Sequence, residues 1–214
     1  YNYEQLPGKS ALGELVADVS APLLGKLGLA NIVVARIIPE LAHYWDVSSQ
    51  FYQQASSRML QTLQSVLSND SRVMTIAHGL GGVIAYDALW HLSQGTAGAG
   101  GLREHKVDRF ITLGTPLADD TVRGRLAGQD EVAAQRYPCN IVNWYNVAAE
   151  DDYLCHDKTV ADDFSAMLAQ HVISLIEDFR IYNLSVRYGK SNPHSAVGYL
   201  AHPRMTRLLV DWLR

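Results

Sequence analysis

The sequence predicts an α/β domain with a mostly parallel sheet and helices on both of its faces. Three observations carry that prediction. Short, β-branched apolar runs alternate with longer segments of helical periodicity, the pattern of parallel strands joined by crossover helices. The run 73–77 passes through His78-Gly79-Leu80-Gly81-Gly82 straight into an apolar segment of helical character. Such a junction is a sharp turn with little room for side chains. Later apolar runs end at Gly114-Thr115-Pro116, at an acidic turn and ahead of Asn192-Pro193-His194. In parallel sheets ligands collect at the carboxyl ends of the strands, where these loops fall.

Composition narrows the function classes. A chain of 214 residues suits one domain with a substantial core, and 48% apolar with 19% charged residues is ordinary for a globular protein. A formal charge of -4 gives no electrostatic footprint for nucleic acid. No apolar run reaches membrane-spanning length and no signal peptide is visible, so no transmembrane segment is expected. Cys139 and Cys155 could pair, but such sparse usage fits a reduced, cytoplasmic protein at least as well. Cys155-His156-Asp157 has metal-ligand types without a second cluster at metal spacing, so neither a metal nor a cofactor is expected. Nothing in the composition fixes an oligomeric state.

Taken in order, residues 1–6 form a strand tail or loop closed by Pro7-Gly8. Residues 10–43 carry one or two short apolar helices, interrupted by Pro22, Gly25, Gly28 and Pro39. From 46 to 67, Val47, Phe51, Ala55, Met59, Leu63 and Val66 or Leu67 share a helix face. Ser48 or Asp46 caps its start and Asn69-Asp70 ends it. The strand 73–77 and its following helix come next, then a glycine-rich surface loop at 95–101. Strands follow at 107–113 and 141–147, the second leading into Glu150-Asp151-Asp152-Tyr153. An amphipathic helix is expected over 159–179, with Phe164, Met167, Leu168, His171, Val172, Leu175, Ile176 and Phe179 on one face. A last strand at 180–186, a loop at 189–195 and a terminal helix carrying Met205, Leu208, Leu209 and Trp212 complete the chain.

Three readings compete for the glycine-rich turn. A dinucleotide cradle would need a third glycine at position 84, which is Ile84, and an acid closing the next strand. Asp108 precedes the body of that strand and is poorly placed for the role. A plain structural turn leaves the later loops unexplained. The third reading accounts for them. Ala77-His78-Gly79-Leu80-Gly81 resembles the G-x-S-x-G nucleophile elbow of the α/β-hydrolases, particularly lipase- and esterase-like members with His-Ser-Leu-Gly-Gly. Leu113-Gly114-Thr115-Pro116 is a second resemblance to that branch, and the 46–67 helix resembles the one preceding the nucleophile strand. Alanine at 77 keeps the turn compact, but Gly79 stands where the family has its serine.

The resemblance implies the α/β-hydrolase fold and a chain order of nucleophile, acid and histidine. Gly79 would hold the nucleophile position, Asp152 the acid and His194 the base, with the N–H of Leu80 as an oxyanion donor. Asp151 is the alternate acid, and a solvated acidic turn is the remaining possibility there. Direct hydrogen bonding requires His194 within about 10 Å of Gly79. His78 is expected to pack structurally, and His171 to sit as a satisfied partner on a helix's core face. The 10–43 segment would be a cap or wall over the site, or a plain cover for the sheet.

The implied activity is hydrolysis of a small-molecule acyl ester, lipid-like or otherwise. Loss of a triad serine costs about a millionfold in rate, so this copy is expected to be inactive. The competing class is a catalytically dead module that holds an acyl ligand or partner. The family's second oxyanion donor comes from an early loop, often containing His-Gly, which does not occur before residue 77. The opening strands are therefore expected to lie outside the chain. Residues 1–214 should then need upstream strands, or another chain, to pair an exposed central edge.

Overall fold

The computed structural model describes residues 39–69, 71–95, 105–152, 154–155 and 157–214. The readings of residues 1–6, of 10–38, of Asp70 and of most of the glycine-rich loop lie outside the described residues. Four strands form one parallel sheet: β1 (Met74–His78), β2 (Val107–Leu113), β3 (Ile141–Ala149) and β4 (Leu175–Ile181), in the order β1-β2-β3-β4. Each neighbouring pair is parallel, so the carboxyl ends of all four lie along one rim. Seven α-helices accompany it among the described residues: α1 (Pro39–Trp45), α2 (Gln50–Leu67), α3 (Leu80–Gln94), α4 (Asp120–Arg123), α5 (Ser165–Ala169), α6 (Ala196–Ala201) and α7 (Pro203–Leu213). A two-stranded antiparallel hairpin, β5 (Val186–Arg187) with β6 (Lys190–Ser191), stands between β4 and α6.

Side chains alternate between the two faces of a strand, and here the alternation builds two cores. Phe110, Trp144 and Ile176 pack with Leu41, Leu63 and Leu89 of α1, α2 and α3. Ile111, Leu113, Val147 and Ile181 face the other way, against Tyr199 of α6 and Met205 and Leu208 of α7. The first core is strongly aromatic: Trp144 lies 5.5 Å from Phe110 and 4.9 Å from Phe164, centroid to centroid. Each such fully buried side chain contributes on the order of 2–3 kcal/mol by burial.

A polar ladder crosses this first face. Thr112, Asn146 and Asp178 are register partners on β2, β3 and β4. Trp144 Nε1 donates to Thr112 Oγ1 at 2.9 Å, Thr112 Oγ1 donates to Asn146 Oδ1 at 2.9 Å, and Asn146 Nδ2 donates to Asp178 Oδ1 at 2.8 Å. The Asp178 carboxylate also accepts from the N–H groups of Val160 and Ala161, both at 2.9 Å. Every rung has its partner, which is what makes burial of these groups tolerable.

The predicted helix 159–179 is only the short α5, and the predicted strand 180–186 lies earlier, at Leu175–Ile181. Ile176 and Phe179 are three apart, which imitates a helix face, but Ile176 and Asp178 face one side of the sheet while Phe179 and Ile181 face the other. His171 is therefore not on a helix's core face; it is an exposed turn residue with φ of 55° between α5 and β4. The cap of α2 is Ser49, whose side chain accepts from Tyr52 N–H at 3.0 Å, and not Ser48 or Asp46. Asp46 instead accepts from Ser48. Only part of the expected α2 face is inward: Met59, Leu63 and Leu67 pack on the core, while Val47, Phe51 and Val66 are exposed.

The β1 edge bears on the expectation of an unpaired central strand. Among the described residues β1 pairs only with β2, and its Ile76 is 40% exposed. No described helix is long and apolar enough to cross a membrane.

Candidate active site

The rim at the carboxyl ends of β1, β2 and β3 brings together Gly79, Gly114 and Asp152, and the loop after the hairpin adds His194. Gly79 follows β1 directly and precedes α3, with φ 55° and ψ -128°. That backbone is strained for any residue with a Cβ, and its N–H is tied to Leu113 O at 2.9 Å. The turn is tight enough that Gly82, in the first turn of α3, lies against the Gly-Thr-Pro loop. A Cβ there would meet Thr115 Oγ1 at 2.4 Å. Leu80, the first residue of α3, has an N–H without an intrahelical acceptor, at the positive end of the helix dipole.

Asp152 sits three residues past β3, with its side chain fully buried. His194 Nδ1–H donates to Asp152 Oδ2 at 2.8 Å. Tyr199 OH donates to the same oxygen at 2.8 Å and accepts from Ala149 N–H at 3.0 Å. The other carboxylate oxygen accepts from Leu154 N–H at 3.1 Å. Lys158 Nζ closes the turn from below by donating to the carbonyls of Asp152 and Cys155. A carboxylate with this set of donors has its orientation fixed.

The bond from Asp152 fixes the imidazole so that Nε2 faces the elbow. A Cβ built on Gly79 would lie 3.0 Å from His194 Nε2 and 3.3 Å from Cε1. His194 thus meets the requirement of closeness to Gly79, and its ring fills part of the space a residue-79 side chain would use. Asp151 goes elsewhere: its Oδ1 lies 3.4 Å from the N–H of Asn183. Asp152 is the carboxylate that reaches the histidine.

Local structure explains how His194 arrives there. Tyr188 and Gly189 both have positive φ and form the two-residue turn between β5 and β6. Asn192 N–H then bonds Ser185 O at 2.8 Å, and Asn183 Nδ2 donates to Ser195 O at 2.9 Å. These bonds bracket Pro193 and His194. His78 contributes as well, with Nε2 2.9 Å from His194 O and its ring 4.4 Å from the His194 ring. Burial, and then the neighbouring His194, hold the His78 pKa below the usual histidine range.

Two glycines and a tyrosine outside the expected set shape the site. Gly114 has φ of 53°, and a Cβ on it would lie 2.7 Å from both Asp152 Oδ2 and Tyr199 OH. A glycine is required where the β2 loop meets the acid. Gly198 admits Asn183 and Ser185, since its Cβ would overlap both side chains. Tyr199 had no mark in the sequence beyond lying five residues after His194.

No protein-family model, curated protein or solved structure matches the chain.

The remaining candidates from the sequence do not join this cluster. Both cysteines are free thiols, and the buried Cys155 thiol is pushed up to about 12 by burial, which keeps it protonated and unreactive. His156 lies outside the described residues. Among the described residues no group of three or more His, Cys, Asp or Glu side chains could hold a metal.

Proposed function

We propose that this chain has the α/β-hydrolase fold of the lipase- and esterase-like branch, with Gly79 in the nucleophile position. His194 is then the general base, Asp152 the acid that orients it, and the N–H of Leu80 a donor for the oxyanion. One observation supports this above the rest. The His194–Asp152 pair, bonded at 2.8 Å, presents Nε2 at 3.0 Å from where the Cβ of residue 79 would stand. A base, its orienting carboxylate and a helix N-terminus around a strained elbow are the parts that acyl transfer needs. The oxygen nucleophile is the part that is missing.

The chemistry follows from that division. In a Gly79→Ser protein, His194 Nε2 would take the hydroxyl proton as Oγ attacks the ester carbonyl. Asp152 and Tyr199 would hold the imidazolium and its counter-charge in place, and the leaving alkoxide would regain the proton from Nε2. The chain with glycine has no such attacking group, so its esterase turnover is expected to be about a millionfold below that of a serine-bearing site. The second reading, a catalytically dead module that binds an acyl ligand, is favoured by the His194 ring itself, which already occupies space beside Gly79. Hydrolysis of a short p-nitrophenyl ester separates the two. A Gly79→Ser protein that turns the ester over supports the hydrolase reading, and persistent inactivity of a folded, full-length Gly79→Ser protein with its second oxyanion donor present supports the binding module.

A further inference from the structure

The segment between β4 and the end of α6 has an inverted surface. Along 182–186 the odd residues are polar and face inward: Asn183 is 1% exposed and its amide donates to Ser195 O, while the Ser185 carbonyl accepts from Asn192 N–H, bonds that hold the His194 loop. The even residues are apolar and face outward, with Leu184 68% and Val186 67% exposed. Tyr188 at the hairpin turn is 90% exposed, and Val197 on α6 is 73% exposed. An alternating segment next to a protein core normally does the reverse. Apolar side chains collected on one outer stretch mark an interaction surface.

Charge identifies what the surface meets. Across the hairpin and α6, residues 182–201 contain no Asp or Glu while carrying Arg187 and Lys190, in a chain whose net charge is -4. Arg187 and Lys190 flank the hairpin turn as register partners, both exposed, and the Arg187 guanidinium stands 5.3 Å from the Tyr188 ring. Tyrosine and short aliphatic side chains flanked by basic residues suit an interface of anionic headgroups over hydrocarbon. We infer that the β5–β6 hairpin and the exposed start of α6 dock on an anionic phospholipid surface. His194 lies three residues past β6, so docking sets the site's rim beside the lipid. This surface stands independently of the chemistry at Gly79, because binding is read without turnover.

The test is co-sedimentation of the whole chain with vesicles, either pure phosphatidylcholine or phosphatidylcholine with about 30 mol% phosphatidylserine. The expected result is partition onto the anionic vesicles, weak binding to the neutral ones and loss at high salt. Arg187→Gln with Lys190→Gln should weaken partition roughly 25-fold, about fivefold for each charge. Leu184→Asn with Tyr188→Ser should weaken it while the circular dichroism spectrum stays unchanged. These positions are exposed, so the variants are expected to fold. Partition absent, equal on both vesicles or unmoved by both double variants would overturn the inference. So would self-association in solution that the Leu184→Asn/Tyr188→Ser variant abolishes while no vesicle binding is seen.

Discussion

Gly114→Ala tests the contact between the Leu-Gly-Thr-Pro loop and the Asp152 carboxylate. Two costs are added by one methyl group. The backbone at 114 has φ of 53°, and an L-residue with a Cβ in the left-handed region costs about 1–2 kcal/mol. The new Cβ would also stand 2.7 Å from Asp152 Oδ2 and from Tyr199 OH, inside van der Waals contact with two buried atoms that share a hydrogen bond. Forcing a methyl group into such a packed spot costs about 1–3 kcal/mol, giving roughly 2–5 kcal/mol in all. Gly189→Ala is the control, because Gly189 has φ of 73° with nothing within 4 Å of its Cβ position. It should lose only the backbone part, about 1–2 kcal/mol. Gly81, in the first turn of α3 with open space and ordinary φ, should show no loss as alanine, with a gain below the ~1 kcal/mol of a mid-helix site. Urea denaturation of the three variants gives the ordering directly. Equal losses for Gly114→Ala and Gly189→Ala would refute the claim that the 114 position is shaped by the acid and its tyrosine.

Tyr199→Phe removes one donor from Asp152 Oδ2 and the acceptor of Ala149 N–H; a loss of about 1–3 kcal/mol is expected, with faster amide exchange at Ala149, and unchanged exchange there would contradict the assignment. Asp87 accepts from Tyr44 OH at 2.9 Å and from Ala127 N–H at 2.8 Å, and burial pushes its pKa up to about 6 from 3.8. The folded state therefore holds the proton more tightly than the unfolded chain, so this group's contribution is fully present below about pH 4 and falls as pH rises through about 6. The stability difference between the unsubstituted chain and Asp87→Asn should change across that window by on the order of 2–3 kcal/mol, and a flat difference between pH 4 and 7 would count against it.

Much of the fold was legible because the central strands announce themselves. Residues 107–113 form β2 with the expected bounds, and 73–77 and 141–147 differ from β1 and β3 by one or two residues at their ends. Helix α2 was legible from its period, but its cap was not, since Asp46, Ser48 and Ser49 offer three side chains of capping type and only tertiary position selects Ser49. The region 159–186 was the hardest. Its apolar residues fit a helical face, and the strand assignment of β4 depends on Asp178 meeting Asn146 across the sheet, a contact no local pattern displays. That Gly79, Asp152 and His194 lie together was expected from the resemblance and its chain order. Tyr199 and Gly114 take their meaning from a shared contact with Asp152, which joins residues far apart in sequence.

Covalent labelling of Gly79→Ser with a fluorophosphonate, read as an intact-protein mass shift and located by peptide mapping, tests whether His194 and Asp152 activate a hydroxyl at residue 79. Such a reagent reports whether a residue-79 hydroxyl is activated by its surroundings, whatever the acyl substrate is. The backbone strain at φ 55° and the crowding by His194 are expected to cost about 1–3 kcal/mol of stability without preventing folding. A single label on residue 79 is expected, abolished in Gly79→Ser/His194→Gln and strongly slowed in Gly79→Ser/Asp152→Asn. A folded Gly79→Ser protein that takes no label, or takes it equally well without His194, would contradict it.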